Sequence, residues 1–324
     1  MKLYYILLLF LVLYILNNYS IKDHNEEYYT NMYSNLNLIT SKPNLLNIGI
    51  YKSPSNNKKL QIISDYMPIN IFTYTNHLGI INNNNLNLLV IREYLVKDSD
   101  YYKFVSGFNY EYFFMIANIL DQKNITDLKQ MESKITIGVN NNDKNILNIL
   151  LKLLNLNNYE VVIDSDNNIF NKFYQDEIDI LFKICDEKDI FFSNLSKIDS
   201  FNILNIDIDY KILNKFINPI YRKVIPKYAI NNKQDNVDIQ TYCLRNIVVT
   251  NNLDNKNINL FLEVIHYYNK EICHEFQNYL DKNYQYPTEF LKKSHLSFII
   301  FNIKYHPESL KYFKKKNLII HKTI

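Results

Sequence analysis

An α/β fold in two lobes is what this sequence predicts, and three observations carry the prediction. Between Asp127 and Phe182, short apolar strands alternate with helical patterns, the order that lays a parallel sheet against helices. Strand patterns and a helical face also alternate from Leu46 to Arg92. The chain has 324 residues, 47% of them hydrophobic, which is enough to bury two substantial cores.

The elements follow in order. Leu46 to Tyr51 reads as a strand, and the turn-rich run from Lys52 through Ser53, Pro54 and Ser55 to Asn57 leads into a helical face from Leu60 to Tyr66. Ile69 to Tyr74 and Asn87 to Arg92 are further strands, separated by the low-complexity loop Asn82 to Asn85. Two strand-like runs follow within Tyr102 to Ala117, Phe104 to Gly107 and Tyr112 to Ile116. Lys134 to Val139 alternates and is β-branched; Asn140 to Asp143 then offers N-cap chemistry before an apolar face at Ile146, Ile149, Leu150, Leu153 and Leu154. Tyr159 to Ile163 is the next strand, Ile169 to Tyr174 a short helical segment, and Ile178 to Phe182 a third strand. Phe201 to Ile206 reads as extended, Tyr210 to Asn218 as a helix, and Tyr221 to Tyr228 as an extended piece containing Pro226. Asp238 to Val249 is a long strand region suited to crossing back between lobes, and 257–283 and 288–316 are mainly helical.

Composition excludes several function classes. A net charge of +3, with lysines interspersed among acids, gives no nucleic-acid footprint; the basic run at Lys311 and Lys314 to Lys316 reads as a solvated helix end. No nucleotide-binding glycine loop, nucleophile elbow or zinc-protease helix motif is present, so neither catalysis nor a cofactor is expected. His266, Cys273 and His274 fall loosely on one helical face without a third or fourth ligand, so no metal site is assigned. The cysteines, Cys185, Cys243 and Cys273, are odd in number and lack redox spacing.

The N-terminus is distinct. Leu3 to Leu16 is a continuous apolar run whose 14 residues reach roughly 21 Å as a helix, short of the roughly 30 Å hydrocarbon core. It reads as an uncleaved signal anchor, a cleaved signal peptide or a buried helix. The first two place the body outside the cytosol, membrane-anchored or secreted.

Four ordered segments resemble one family. Asp127-Leu128-Lys129 with Lys134 to Gly138 is similar to the entry to the second lobe of TAXI-family solute-binding proteins of tripartite (TRAP) transporters. Glu177 to Phe182 resembles that family's strand ending in two phenylalanines. Tyr221 to Pro226, followed by Val237, Cys243-Leu244 and Ile247 to Val249, resembles its return strand, and His306 to Phe313 its closing segment. The resemblance spans residues 45 to 318. It implies a type II periplasmic-binding-protein-like fold with a hinge, with lobe one at 45–130, lobe two at 131–245, and a lobe-one return with C-terminal helices at 246–324. Ahead of it the residues themselves give an N-terminal hydrophobic helix, a signal anchor or signal peptide at 1–20, and a polar tether at 21–44. Two departures bear on the ligand. The family's Gly-rich opening loop is reduced here to Gly49 before Tyr51 to Ser55, and its small lobe-two turn is replaced around Asn141 to Lys144, which removes the simplest anion cradle.

In such an architecture ligand contacts come from loops after strands. Tyr51, Ser53 and Ser55 offer hydroxyls in the first loop. Arg92 aligns with a cleft strand, where a guanidinium clamps a carboxylate bidentately; the alternative is a surface ion pair with Glu93 or another acid. Asn142 is a donor and, with Asp143, caps the lobe-two helix, while Lys183 and Cys185 follow a strand whose continuation faces the cleft. Lys134, Tyr242 and Arg245 are hinge candidates. The expected function is non-catalytic capture of a small organic anion, an amino acid or dicarboxylate, with an integral membrane permease as partner. The alternative is a degenerate binding-protein fold serving as a membrane-anchored structural or interaction protein, such as a viral envelope would use.

Overall fold

The computed structural model describes residues 45–52, 54–96, 101–118, 123–186, 189–195, 198, 201–225, 238–251, 255–268 and 303–318. The apolar run Leu3 to Leu16, the tether, Ser53, Cys273 and His274 lie outside the described residues. Among the described residues no helix is long and apolar enough to cross a membrane.

The chain alternates strands and helices as β1 (Leu46–Tyr51), α1 (Pro54–Ser64), β2 (Ile69–Tyr74), α2 (His77–Ile81) and β3 (Leu88–Arg92), then the long β4 (Lys103–Ala117). A second run follows as β5 (Ile135–Asn140), α3 (Lys144–Leu154), β6 (Tyr159–Asp164), α4 (Asp166–Tyr174) and β7 (Ile180–Cys185). Then come α5 (Ile190–Leu195), β8 (Asn202–Ile203), α6 (Tyr210–Leu213), β9 (Tyr221–Ile225), β10 (Ile239–Thr250), α7 (Asn255–Tyr267) and α8 (Pro307–Lys315).

One mixed sheet runs in the order β2-β1-β3-β10-β4-β7-β5-β6, with β9 beside β10 and β8 beside β4. Two half-sheets repeat one plan: β1 lies parallel between β2 and β3, and β5 lies parallel between β6 and β7. The antiparallel strands β4 and β10 join them and exchange roles. β10 pairs β3 through Asn246 to Val249, whereas β4 pairs β7 through Tyr112 to Ala117.

Register makes the repeat visible in sequence. Gly49 is the fourth residue of β1 and Gly138 the fourth of β5. A Cβ on Gly49 would stand 2.3 Å from Leu86 Cδ1, and one on Gly138 2.7 Å from Ile178 Cδ1 and 2.8 Å from Ile169 Cγ2. Each glycine lets the central strand of its half-sheet pack against the residues leading into the third strand.

The core fills both faces of β4, all of which is buried except Lys103. Because side chains alternate along a strand, Phe113, Met115 and Ala117 join the apolar face of α3 on one side. Tyr112, Phe114 and Ile116 join residues of α4 and α5 on the other. The predicted break in β4 is absent. Its polar residues do not interrupt the strand because they have buried partners: Asn109 meets Asn246 at 2.9 Å and Glu111 meets Arg92 at 2.8 Å. The helix expected over 210–218 is shorter, ending at Leu213, after which the backbone continues in hydrogen-bonded turns to Ile217.

Gly49→Ala and Gly138→Ala are each expected to lower the unfolding free energy by about 1–3 kcal/mol through overpacking. Denaturant unfolding with unchanged m-value checks this; a neutral effect of both would contradict the close packing.

Candidate functional site

In parallel α/β sheets the peptide groups and loops at the carboxyl ends of strands are left free to meet a ligand. Here the ends of β1, β3, β5, β6 and β7 supply Tyr51, Arg92, Asn140, Asp164 and Cys185. The half-sheets meet at these ends around a pocket of about 140 Å³. The first half contributes Tyr51 and Lys52, β4 contributes Glu111, and the second half contributes Asp166, Phe170, Lys183, Cys185, Asp186 and Asp189.

Behind that pocket lies a set of buried ion pairs. Arg92 is 2% exposed and divides its guanidinium between two acids, Nε donating to Glu111 Oε2 at 2.8 Å and Nη2 to Asp143 Oδ1 at 3.1 Å. Burial disfavours the charged guanidinium, and Glu111 and Asp143 more than offset it, so Arg92 is held protonated. Asp143 Oδ2 accepts from the Ile184 amide at 3.1 Å and from Asn140 Nδ2 at 3.1 Å. Burial pushes the Asp143 carboxyl up, opposed by the Arg92 charge. Arg245 grips Glu93 bidentately, both contacts at 2.9 Å, and the Tyr221 hydroxyl donates to the same carboxylate at 2.7 Å. Lys59 on α1 reaches Asp186 at 2.6 Å, with both side chains buried.

The pocket wall is less saturated. Lys183 pairs with Asp166 at the start of α4. Tyr51 accepts at its hydroxyl from Asn142 Nδ2 at 3.1 Å, and burial together with Asp143 pushes its phenol up to about 12. Asp189 receives the Phe191 amide at 2.9 Å and makes no ion pair among the described residues; burial raises its pKa against the pull of Lys183. Cys185 is buried and free, its thiol pushed up by burial and by Asp189.

Most of the sequence-derived site residues therefore come together. Tyr51, Lys183 and Cys185 line the pocket, Asn142 touches Tyr51, and Arg92 stands behind Glu111. Ser55 falls in α1, and its side chain is outside the described set. Arg92 makes neither the expected surface ion pair nor an ion pair with Glu93: its ion pairs are buried ones with Glu111 and Asp143, so the carboxylates in its grasp belong to the chain itself. Asp143 occupies the N-cap position of α3 without a side-chain capping bond, because its carboxylate is committed to Arg92 and Ile184. Asn142, the other expected cap, spends its amide on Tyr51.

Of the hinge candidates, Tyr242 and Arg245 lie on the shared strand β10. Lys134 does not: it precedes β5 and pairs in solvent with Glu160 on the neighbouring β6, away from both shared strands.

Sequence reasoning missed Lys59, His77, Glu111 and Asp186, and offered Glu93 to Arg92 where the fold gives it to Arg245. A signal existed for Glu111, a lone acid inside a run of aromatic β-formers, which demands a buried partner. His77 is buried at the start of α2 and stacked on Tyr51 with ring centroids 5.2 Å apart. Neither ring nitrogen finds a hydrogen-bond partner among the described residues.

No family model matches the chain, and no curated protein matches it. Solved structures similar to it include the periplasmic sulfonate-binding protein of a sulfonate ABC transporter from Methylobacillus flagellatus KT. It is 10% identical with a TM-score of 0.46, over 88% of this chain and 100% of that one. The periplasmic aliphatic sulphonate binding protein from Escherichia coli is 12% identical with a TM-score of 0.42, over 71% and 72%. The substrate binding protein of an amino acid ABC transporter is 11% identical with a TM-score of 0.43, over 75% and 100%.

His77 generates a pH prediction. Burial and the Arg92 charge hold its pKa well below 6.5, so the folded state keeps it neutral while the unfolded chain protonates it. Its contribution is present above the unfolded pKa and is lost as pH falls from 6.5 toward the depressed value. His77→Phe, which preserves the stack on Tyr51, is expected to flatten the decline of unfolding free energy below pH 6.5 by up to about 1.4 kcal/mol per pH unit relative to the parent. Parallel slopes for parent and variant between pH 7 and 5 would contradict a neutral buried imidazole.

Proposed function

We propose that this chain is a two-lobed solute-binding protein that captures a small amine-bearing solute, of the amino-acid class, in the pocket between Tyr51 and Lys183, without covalent chemistry. The pocket itself carries the reading, because both half-sheets contribute to it at their strand carboxyl ends. Four carboxylates line it, Glu111, Asp166, Asp186 and Asp189, against the lysines Lys52 and Lys183. Asp189 is the acid free to seat an ammonium group, and Lys183 and Lys52 stand on the same wall for a carboxylate. Of the two anion classes expected from sequence, an amino acid suits this balance, whereas a dicarboxylate would meet net repulsion. The volume of about 140 Å³ lies below the roughly 300–1,000 Å³ of drug-sized sites, so the solute is small.

Within this proposal the lobes are TAXI-like. The residue runs that carry the resemblance fall in chain order on β5, β7, β9 with β10, and α8. Capture would proceed by hinge motion about β4 and β10. The apolar run Leu3 to Leu16 would secrete or anchor the body outside the cytosol, where an integral membrane permease would receive the solute.

One observation favours a second reading, a scaffold for structural or interaction work. Arg92–Asp143 and Lys59–Asp186 already join the two half-sheets through buried charges.

Thermal unfolding of the full chain against amino acids, amines and dicarboxylates separates the two. An amine-bearing solute at a hundred times its dissociation constant is expected to add about 2.7 kcal/mol, with the effect lost in Asp189→Asn and dicarboxylates inert. No shift across the panel in folded protein would overturn solute capture and leave the scaffold reading.

A further inference from the structure

We infer that Asp143 is a built-in ligand: its carboxylate fills the anion seat of the cleft and closes the two half-sheets on the chain's own side chain. This inference goes beyond solute capture and does not depend on any solute entering the pocket.

The seat has four walls. From the first half-sheet comes the Arg92 guanidinium, at the carboxyl end of β3, with Nη2 3.1 Å from Asp143 Oδ1. From the second comes the Ile184 amide, 3.1 Å from Oδ2. That amide is available because β5 pairs β7 only from Ile137↔Ile180 to Val139↔Phe182, and β7 runs on beyond the last partner. Asn140 Nδ2 supplies a third donor at 3.1 Å. The fourth wall is the start of α3, an 11-residue helix whose positive end faces the residue that precedes it. A guanidinium, a backbone amide, a side-chain amide and a helix N-terminus are the groups that hold a free carboxylate. Here Asp143, 1% exposed, takes the first three by direct contact and sits at the fourth without bonding its amides.

Two further links cross between the half-sheets in the same arrangement, Tyr51 to Asn142 and Lys59 to Asp186. In a capture protein that closes on solute, the ligand supplies the contacts that favour closure. In this chain the covalently attached carboxylate supplies them at effectively saturating concentration.

Emptying the seat tests this. In full-chain Asp143→Ala, sodium formate is expected to raise the melting temperature saturably, by about 5 °C near a hundred times its dissociation constant. The parent and the Arg92→Met/Asp143→Ala double variant should respond to formate only as they do to sodium chloride at equal ionic strength. A response of Asp143→Ala to formate no larger than to chloride, or an equal formate response in the parent, would overturn the inference. Should Asp143→Ala fail to fold, amide exchange in the ligand-free parent decides. Protection of the Ile184 amide comparable to Phe182 supports a permanently filled seat, and exchange at the rate of an exposed loop amide overturns it.

Discussion

The guanidinium of Arg92, held between Glu111 and Asp143 with almost no exposure to water, is the constraint on which the rest of this structure depends. Its three participants come from β3, β4 and the start of α3, so a single cation ties the first half-sheet, a shared strand and the second half-sheet together. Burying these charges costs several kcal/mol per ion, and attraction in a poorly screened interior offsets that cost only when every partner is in place. Removing one partner leaves an uncompensated buried charge, with a typical loss of about 3–5 kcal/mol. The neighbourhood follows from this. Asp143 gives up helix capping, Ile184 gains a side-chain acceptor, and His77 is kept neutral by burial and by the adjacent positive charge.

Much of the fold was legible because it rests on local pattern. Strands β1, β2, β3, β5, β6, β7 and β10 follow runs of alternating or continuous apolar residues, and α3 follows a 3.6-residue stripe. What the pattern could not show was which strand a polar residue faces. The stretch around Glu111 read as a break in β4 until a side-chain bond from Arg92, one strand beyond β10, accounted for its buried carboxylate, and the turn before α3 looked like a cap until tertiary contacts claimed its carboxylate. Tyr51, Lys183 and Cys185 were found near the ends of strand patterns and Arg92 by the family resemblance, yet what Arg92 grips depends on contacts across 19 and 51 residues of chain. Lys134 was placed at a hinge by its position in sequence, and the topology puts the crossing elsewhere, on β4 and β10.

The site that results is unlike a plain anion trap. The buried cations of the region, Arg92, Lys59 and Arg245, are spent on internal acids, while the pocket wall retains Asp189 beside the Lys183–Asp166 pair. The same residues thus account for a tightly joined pair of half-sheets and for a small pocket whose surplus charge is negative.

A double-mutant cycle between Arg92 and Asp143, using Arg92→Met, Asp143→Asn and their combination in equilibrium denaturant unfolding, tests the buried link most directly. A coupling of at least about 2 kcal/mol is predicted for a desolvated pair in direct contact. Effects that add to within about 0.5 kcal/mol, as for independent sites, would contradict it.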